Sequence, residues 1–402
     1  MSLIEEISKT DKNKLFVSND NVISYETGFT VLDYANGYWT LVRDKDGNEK
    51  VIPMLGIQAG SLISIISEVG GGKSTLASQI GWNIVKKFED GLLIYVDCEE
   101  TAIKQRITNI CKCKYDDPRI IINRDRCSIE DVLTMFNDIC DKKEAAGKTY
   151  MYEIKDRSYD GKPFWQYVPT VFIIDSLPQF NSKEYNTEDL GNNVDQMKAS
   201  KDVTRFYTNV LLKCWKYNII FIVINHIRPN TNITPYSTPP RGLLMLNPMT
   251  ESLPRGTVAQ YYSTTYFRIK TKKSNAYTMA EDGFVGYKCE VSLAKTKSNV
   301  VGTSFPLTFN LKTGFDNIYS LFEFAKENDL IKGKNPYLRF ENYEERKFSR
   351  KEFYTLMCAD PVFRERVLKI LKPYFEELLG DKKIILSNDV QEEINIDFST
   401  IE

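Results

Sequence analysis

Histidine is nearly absent from this sequence: one imidazole, His226, occurs in 402 residues. The eight cysteines are scattered. No histidine or second cysteine pair accompanies the closest pair, Cys111 and Cys113, to complete a zinc site. The scarcity of these ligands excludes the common zinc motifs and favours reduced thiols in a cytosolic protein.

An excess of charge of either sign is also missing, because 53 lysines and arginines balance 54 aspartates and glutamates. Any nucleic-acid-binding surface must therefore come from local segregation of basic residues. No stretch is long and apolar enough to span a membrane, and the first residues lack the basic and apolar regions of a signal peptide. We expect a protein that works in the cytoplasm and has no membrane partner.

Short β-rich apolar runs are what the sequence does contain, and helix-length segments separate them. Continuous Val, Ile and Leu runs are typical of parallel strands buried on both faces, and the segments between them are long enough for crossover helices. The pattern predicts an α/β fold with a largely parallel central sheet flanked by helices. The predicted strands are residues 61–67, 91–97, 119–123, 170–176 and 219–225.

Composition divides the chain into a core and its appendages. Two long stretches of the core look irregular: one reads as a surface insertion, and the other, rich in Pro, Thr, Asn and Gly, reads as a functional loop. The predicted divisions are an N-terminal arm (1–27), a core (28–317) with an insertion at about 145–168, a small helical C-terminal domain (318–386) and an acidic tail (387–402).

Residues 67–75, SEVGGGKST, follow a predicted strand and precede a segment with helical spacing of apolar residues. This is the context of a P-loop, in which backbone N–H groups of glycines and a helix N-terminus hold phosphate oxygens. Lys73 would reach the β- and γ-phosphates of ATP, and Ser74 would bind Mg²⁺. Ser67 stands where the P-loop pattern has its first glycine. The expected nucleotide-binding residues of the loop are Ser67, Gly70, Gly71, Gly72, Lys73, Ser74 and Thr75.

Acidic residues end two of the predicted strands. Asp175 ends the run VFIID, where an acid of a P-loop protein usually approaches the Mg²⁺ and its water shell. The run YVDCEE contains Asp97, Glu99 and Glu100, and a carboxylate there can orient a water molecule for attack on the γ-phosphate. The local pattern alone does not choose among these three acids.

Together these stretches resemble the RecA family, in particular the phage UvsX-type recombinases, over residues from about 26 to 380. The resemblance implies a RecA-like P-loop ATPase core. It is carried by YETGFTVLDYANG (25–37), YVDCEE (95–100), FIIDS (172–176), VINHIR (223–228), LAKTKSN (293–299), LFEFAKENDLIKGKNPYLRF (321–340) and DPVFRERVLKIL (360–371).

The resemblance also implies roles for individual residues. Glu99 corresponds to the catalytic glutamate of the family, and Asp175 corresponds to the acid near Mg²⁺. Lys295 and Lys297 correspond to two basic residues that reach the ATP of a neighbouring subunit. Arg106 stands where relatives have an aromatic residue that packs near adenine, so this chain departs from the family at the base.

His226 stands at the end of the strand that leads into the second DNA-binding loop of the family. We expect it to sense the γ-phosphate, because a neutral imidazole offers one donor and one acceptor. The alternative is a strand-end histidine whose ring is satisfied by the nearby backbone.

Two polar loops are the candidates for DNA contact, residues 181–193 and residues 228–258. The second carries three arginines against a single acid, and basic loops of this kind bind phosphates without reading sequence. A solvated surface loop is the alternative. The candidate DNA-binding residues are Arg228, Arg241, Arg255 and Gly256.

The function implied by the resemblance is that of an ATP-dependent DNA recombinase, with ATP and Mg²⁺ as cofactors. It would form a helical filament on single-stranded DNA and promote pairing and strand exchange with duplex DNA. Other expected partners are further copies of the chain and single-strand-binding and mediator proteins, in the bacterial host cytoplasm if the protein is phage-encoded. A ring helicase with a RecA core and a non-catalytic, ATP-gated DNA-binding mediator are the alternatives.

Overall fold

The computed structural model describes residues 23–380, apart from residues 45, 126, 156, 159–160, 185–193, 230–245, 247–250, 280–283 and 342. Its centre is a sheet of nine described strands with helices on both faces, which confirms the predicted α/β class and the largely parallel sheet. Three groups of predicted residues lie outside the described part: Arg241 with most of its loop, the greater part of 181–193, and the ends 1–22 and 381–402.

The central sheet is built from the predicted apolar runs and from a later antiparallel segment. Its strands are β5 (Leu62–Ser67), β6 (Leu92–Asp97), β7 (Ile120–Asn123), β10 (Thr170–Asp175), β11 (Ile219–His226), β14 (Thr265–Met279), β15 (Phe284–Lys295), β16 (Ser304–Asn310) and β17 (Gly314–Asp316). Across the sheet the order is β17-β16-β15-β14-β5-β11-β10-β6-β7. From β14 to β7 the neighbouring strands are parallel, and from β14 to β17 they are antiparallel.

Alternate residues of the central strands belong to two separate hydrophobic cores, as period-two side-chain alternation requires. Ile63 and Ile173 lie in one core, and Leu62 and Phe172 lie in the other. Both faces are therefore covered, which explains why the parallel strands read as continuous apolar runs. The helices of the core are α1 (Thr30–Ala35), α2 (Lys73–Val85), α3 (Lys104–Cys111), α4 (Ile129–Ala146), α5 (Val194–Tyr217) and α6 (Gly256–Tyr262).

The stretch 145–168 was predicted to be irregular. This prediction was wrong, because most of its described residues form regular elements. A 3₁₀ turn, Gly147–Tyr150, leads into an antiparallel pair, β8 (Met151–Ile154) and β9 (Phe164–Tyr167). The pair is tied to the core because the Tyr152 hydroxyl lies 2.6 Å from that of Tyr25. Four-residue strands are too short to give a clear alternating pattern in the sequence.

Short strands at other edges complete the core. Strands β2 and β3 form a hairpin that follows α1 in the chain. Strands β12 and β13 pair at the base of the loop after β11. A second 3₁₀ turn, Leu177–Gln179, follows β10 directly. The short strands are β1 (Ser24–Tyr25), β2 (Tyr38–Arg43), β3 (Glu49–Met54), β4 (Ile57–Gln58), β12 (Arg228–Pro229) and β13 (Glu251–Ser252).

The C-terminal segment is not purely helical, contrary to the prediction. Between its helices lies a three-stranded antiparallel sheet, and two of its strands are too short to be read from periodicity. The segment packs on α1, where the ring of Phe375 stacks on Tyr34 with centroids 5.0 Å apart. Across the described residues no helix is long and apolar enough to cross a membrane. The elements are α7 (Asn317–Glu327), β18 (Ile331–Lys332), β19 (Leu338–Phe340), β20 (Tyr343–Phe348), α8 (Arg350–Ala359) and α9 (Pro361–Leu378).

Candidate functional site

The glycine-rich loop joins the carboxyl end of β5 to the first turn of α2. Gly70 and Gly72 have φ angles of 79° and 82°, which lie in the left-handed region that favours glycine. A Cβ on Gly71 would come within 2.3 Å of Ser67 Oγ, so a side chain there would clash with the loop itself. These three glycines allow the tight turn that brings backbone N–H groups toward one point, as phosphate binding requires.

A cavity of about 480 Å³ opens against this loop, at the carboxyl ends of the parallel strands. Its size is that of a small-molecule site, and this edge of an open parallel sheet is where such sites usually lie. The structure brings nearly all the predicted nucleotide residues to its wall: Gly70, Gly71, Gly72, Lys73, Ser74, Thr75, Glu99, Arg106, Asp175 and His226.

The ammonium of Lys73 is held by the loop. Its Nζ donates to Ser67 Oγ at 3.0 Å, to the Glu68 carbonyl at 2.9 Å and to the Ser67 carbonyl at 3.3 Å. Burial lowers the pKa of Lys73 to about 8, and the charges of Asp175 and Glu99 oppose that shift only in part. Ser67, the departure from the P-loop pattern, thus adds a side-chain acceptor for the lysine that a glycine would lack.

Ser74 and Asp175 meet at the floor of the cavity. The Ser74 hydroxyl donates to Asp175 Oδ2 at 2.6 Å, and the Tyr95 hydroxyl donates to the same oxygen. Burial raises the pKa of Asp175, while the hydrogen bonds from Ser74 and Tyr95 act in the opposite direction. Within the described part of the chain these hydroxyls are the side-chain partners of the Asp175 carboxylate, so it has oxygen lone pairs to offer to a cation.

These residues fit Mg²⁺ as P-loop proteins use it. Within the described ranges there is no cluster of three or more His, Cys, Asp or Glu side chains that could form a complete protein cage for a metal. Mg²⁺ seldom needs one, because it usually takes one or two protein oxygens, substrate phosphates and water. The touching oxygens of Ser74 and Asp175, beside the phosphate loop, are such a set.

Three acids lie at the end of β6 or just beyond it, and their environments differ: Asp97 is the last residue of the strand, and Glu99 and Glu100 follow it. Glu99 faces the cavity, where its Oε1 accepts from Ser176 Oγ at 2.5 Å. Asp97 points into the turn instead and accepts from the backbone N–H groups of Thr101 and Ala102 at 3.1 and 2.8 Å. Glu100 is exposed and does not line the cavity. Of the three, only Glu99 could approach a bound nucleotide.

His226 ends β11 beside the cavity and contacts the same carboxylate. Its Nε2 lies 3.1 Å from Glu99 Oε1, and its Nδ1 is buried without a hydrogen-bond partner among the described residues. The alternative of a ring satisfied by the nearby backbone is therefore not what the structure contains. The backbone N–H of His226 is satisfied by Asn225 Oδ1 at 2.8 Å.

The loop that follows His226 is anchored to the phosphate loop. The N–H of Ile227 donates to the Ser67 carbonyl at 2.9 Å, and β12 pairs with β13 directly beyond it. Asn225 Nδ2 also donates to the Pro254 carbonyl at 2.8 Å, across the two ends of the loop. Ser67, which also accepts from Lys73, thus touches both that lysine and the base of the candidate DNA loop.

The remaining predicted residues lie outside this cavity. Lys295 ends β15, where its Nζ donates to the carbonyls of Gln260 and Tyr261, and burial lowers its pKa. Lys297 is exposed. The structure keeps the pair at a separate surface, so within one chain neither lysine reaches the phosphate loop.

The candidate DNA-binding residues fall in different settings. Arg228 is exposed. Arg255 instead donates to the Phe180 carbonyl at 2.8 Å and to Asn181 Oδ1 at 2.5 Å, and Gly256 begins α6. Because Asn181 starts the first candidate loop, Arg255 ties the bases of the two loops together.

Several residues of the site belong to no sequence motif, and the sequence analysis did not predict them. Tyr95 lies within an apolar run, where its hydroxyl gives no signal, yet it bonds Asp175. Tyr287 donates to the Gly70 carbonyl at 3.2 Å and stacks on Phe309, with ring centroids 4.9 Å apart. Both rings line the cavity together with Arg106, so part of the cavity wall is aromatic.

A scan against protein-family models and a search of curated proteins give no match to this chain.

Proposed function

We propose that this protein has a RecA-like P-loop ATPase core and is an ATP-dependent DNA recombinase that assembles on single-stranded DNA in the cytoplasm. The observation that supports the ATPase part is the convergence on one cavity of the phosphate loop, the Ser74–Asp175 pair and Glu99. These are the parts that phosphoryl transfer to water needs: a phosphate cradle, a cation site and a carboxylate that can position water.

In the proposed reaction the loop amides and Lys73 bind the phosphates and neutralise charge that develops on them. Ser74 and Asp175 would hold Mg²⁺, which would supply positive charge against the phosphates. Glu99 accepts a hydrogen bond from the attacking water and aligns it with the γ-phosphorus. His226 and Ser176 fix the orientation of that carboxylate, since both contact its Oε1.

Coupling to DNA follows from the position of His226. The ring contacts Glu99, and the next residue is bonded to Ser67 of the phosphate loop. A γ-phosphate that repels the Glu99 carboxylate, or that accepts a hydrogen bond from Nδ1, would turn the imidazole, and the strand end that carries the candidate loop would move with it. ATP and ADP would then favour different arrangements of the loop, and single-stranded DNA would bind more tightly to one of them.

We extend the proposal to assembly. Lys295 and Lys297 lie at the end of β15, away from their own chain's cavity, and their charges suit a phosphate of an adjacent subunit. A helical filament offers that arrangement at every interface, and duplex DNA would be paired with the filament for strand exchange. Single-strand-binding and mediator proteins would be its partners.

ATP hydrolysis assays with and without single-stranded DNA, combined with electron microscopy of the assembled protein, test the proposal. We expect DNA-stimulated hydrolysis and open helical filaments with ATP. Closed rings that unwind duplex DNA would support the helicase alternative, and ATP-dependent DNA binding without hydrolysis or strand exchange would support the mediator.

A further inference from the structure

Two cysteine thiols lie beside the segment that carries Glu99. Cys98 sits between Asp97 and Glu99, and Cys127 immediately precedes Ser128, the residue that caps α4. Cys127 Sγ lies 3.5 Å from the Asp97 carbonyl oxygen, and Cys98 Sγ lies 3.9 Å from the Cys127 carbonyl oxygen. Each sulfur therefore rests against the backbone of the other cysteine's segment, although 29 residues separate the two along the chain.

The two thiols also influence each other's ionisation. A hydrogen bond between them raises the pKa of Cys98, with a further contribution from burial, and lowers the pKa of Cys127. Cys127 is thus the more readily ionised member, and ionisation is what makes a thiol nucleophilic. Both cysteines are half-buried, whereas Cys140 and Cys289 are buried and have raised pKa values of about 11 and 12.

We propose that Cys98 and Cys127 form an oxidative modification site, which a peroxide converts into a reversible disulfide that slows the reaction at Glu99. The role of Glu99 in this inference rests on the proposed function, whereas the disulfide itself rests on the geometry of the two thiols.

The chemistry is that of two cysteines that are close in space. The Cys127 thiolate attacks one peroxide oxygen, the O–O bond breaks, and a sulfenic acid and one water form after proton transfer. The Cys98 sulfur then attacks the Cys127 sulfur, expels the hydroxyl group as a second water and completes the disulfide. Two thiols lose two electrons and two protons, and the peroxide takes up both. A dithiol reverses the reaction by exchange.

The consequence for the site follows from what Cys98 is attached to. Its backbone N–H donates to the Asp175 carbonyl at 2.8 Å, and its neighbour Glu99 lies on the cavity wall. A disulfide requires the sulfurs to approach to about 2.0 Å with a fixed dihedral angle, so the segment that carries Glu99 must shift toward α4. A displacement of about 1 Å in a catalytic group costs about a hundredfold in rate.

The experiment uses the full-length protein, reduced and freed of reductant. Hydrolysis of ATP with single-stranded DNA is measured before and after hydrogen peroxide, and the oxidised protein is digested without reduction for peptide mass mapping. We expect a cross-linked peptide pair containing Cys98 and Cys127, a fall in rate on the order of a hundredfold and recovery with dithiothreitol. Cys98→Ser and Cys127→Ser should each resist the inhibition, and Cys113→Ser, which leaves the pair intact, should be inhibited as the parent is.

The outcomes separate this inference from the proposed function. A map without the 98–127 link, a link without loss of rate, or equal inhibition of Cys127→Ser would overturn the inference. Cys127→Ala provides the same test if the serine variant does not fold. A reduced protein that hydrolyses no ATP would contradict the proposed function, whereas the peptide map would still decide whether the disulfide forms.

Discussion

Two groups of charged side chains lie inside this molecule, and they differ in how opposite charges are arranged. In the first, the C-terminal ion cluster, opposite charges touch. Glu323 Oε1 lies 3.1 Å from Arg350 Nη2, and Glu323 Oε2 lies 3.7 Å from Lys288 Nζ. In the second, the cavity cluster of Lys73, Glu99, Asp175 and His226, the lysine and the carboxylates are kept apart. There Lys73 bonds loop oxygens, and within the described part of the chain it forms no ion pair.

The difference is the one expected between a structural cluster and a functional one. Direct pairing lets buried charges compensate each other, so the C-terminal ion cluster can join β15, α7 and α8. In the cavity cluster burial raises the pKa of Asp175 and lowers that of Lys73, which is a cost in the absence of a ligand. Perturbed groups of this kind in a cleft are typical of active sites. An anion and a cation together, such as a nucleotide with Mg²⁺, would compensate both.

The largest effect is expected from removing the charge that the cavity cluster keeps unpaired. Lys73→Ala should abolish ATP hydrolysis and ATP-dependent assembly, because no other ammonium reaches the phosphate loop among the residues that line the cavity. Steady-state phosphate release measures it. Lys86→Ala removes the same charge beyond the far end of α2 and should keep the parental rate. Near-parental turnover in Lys73→Ala would refute the phosphate-loop assignment.

The next effect concerns Glu99, which within the described part of the chain forms no ion pair with a lysine or arginine. Glu99→Gln should keep ATP and DNA binding and slow hydrolysis on the order of a hundredfold or more, because a positioned base is lost. Glu100→Gln, an exposed neighbour, is the matched control and should leave the rate unchanged. The choice of carboxylate is wrong if Asp97→Asn or Glu100→Gln is the slow variant and Glu99→Gln is normal.

The C-terminal ion cluster should respond in the opposite way. Glu323→Gln removes a shared partner of buried Arg350 and partly exposed Lys288, and it should lower the free energy of unfolding by about 3–5 kcal/mol. Hydrolysis per folded molecule should stay at the parental level. Glu327→Gln, in which a more exposed partner of Lys288 is lost, should cost only about 0–1 kcal/mol. Urea unfolding monitored by fluorescence compares them, and a catalytic defect in folded Glu323→Gln would blur the distinction between the two clusters.

The subtlest effect belongs to His226, which touches the cavity cluster and precedes the candidate DNA loop. His226→Ala should still bind ATP but lose the gain in single-stranded DNA affinity that ATP gives over ADP, because the link from Glu99 to the strand end is gone. His226→Gln should keep part of it, since an amide also offers a donor and an acceptor. Fluorescence anisotropy with labelled DNA measures both. A purely structural histidine would lower stability and leave the ATP-to-ADP ratio unchanged.

The sequence predicts the parts of this site that are local in the chain. The glycine-rich loop is one such part, because strand, glycines, lysine and helix follow one another within residues 61–85. The acids at strand ends are another, since apolar runs mark where each strand stops. The central parallel strands were confirmed for the same reason.

What the sequence does not reveal depends on which strands are neighbours. Glu99, Ser176 and His226 meet because β10 lies between β6 and β11, and no local pattern gives that order. The choice of Glu99 over Asp97 likewise depends on which carboxylate the turn after β6 engages. The short β8–β9 pair and the C-terminal sheet escaped prediction because their strands are held by packing and cross-strand pairing, with too few residues to show a period.

We expect a nucleotide bound in this cavity to control the affinity of the protein for DNA. The most direct test is the affinity of the parental protein for labelled single-stranded DNA in saturating ATP, with a slowly hydrolysed analogue as a check, and in saturating ADP, at one salt concentration. We expect single-stranded DNA to bind about 5- to 150-fold more tightly with ATP than with ADP, the range of a coupling free energy of about 1–3 kcal/mol. Equal affinity in the two nucleotides, in protein shown to bind both, would contradict it.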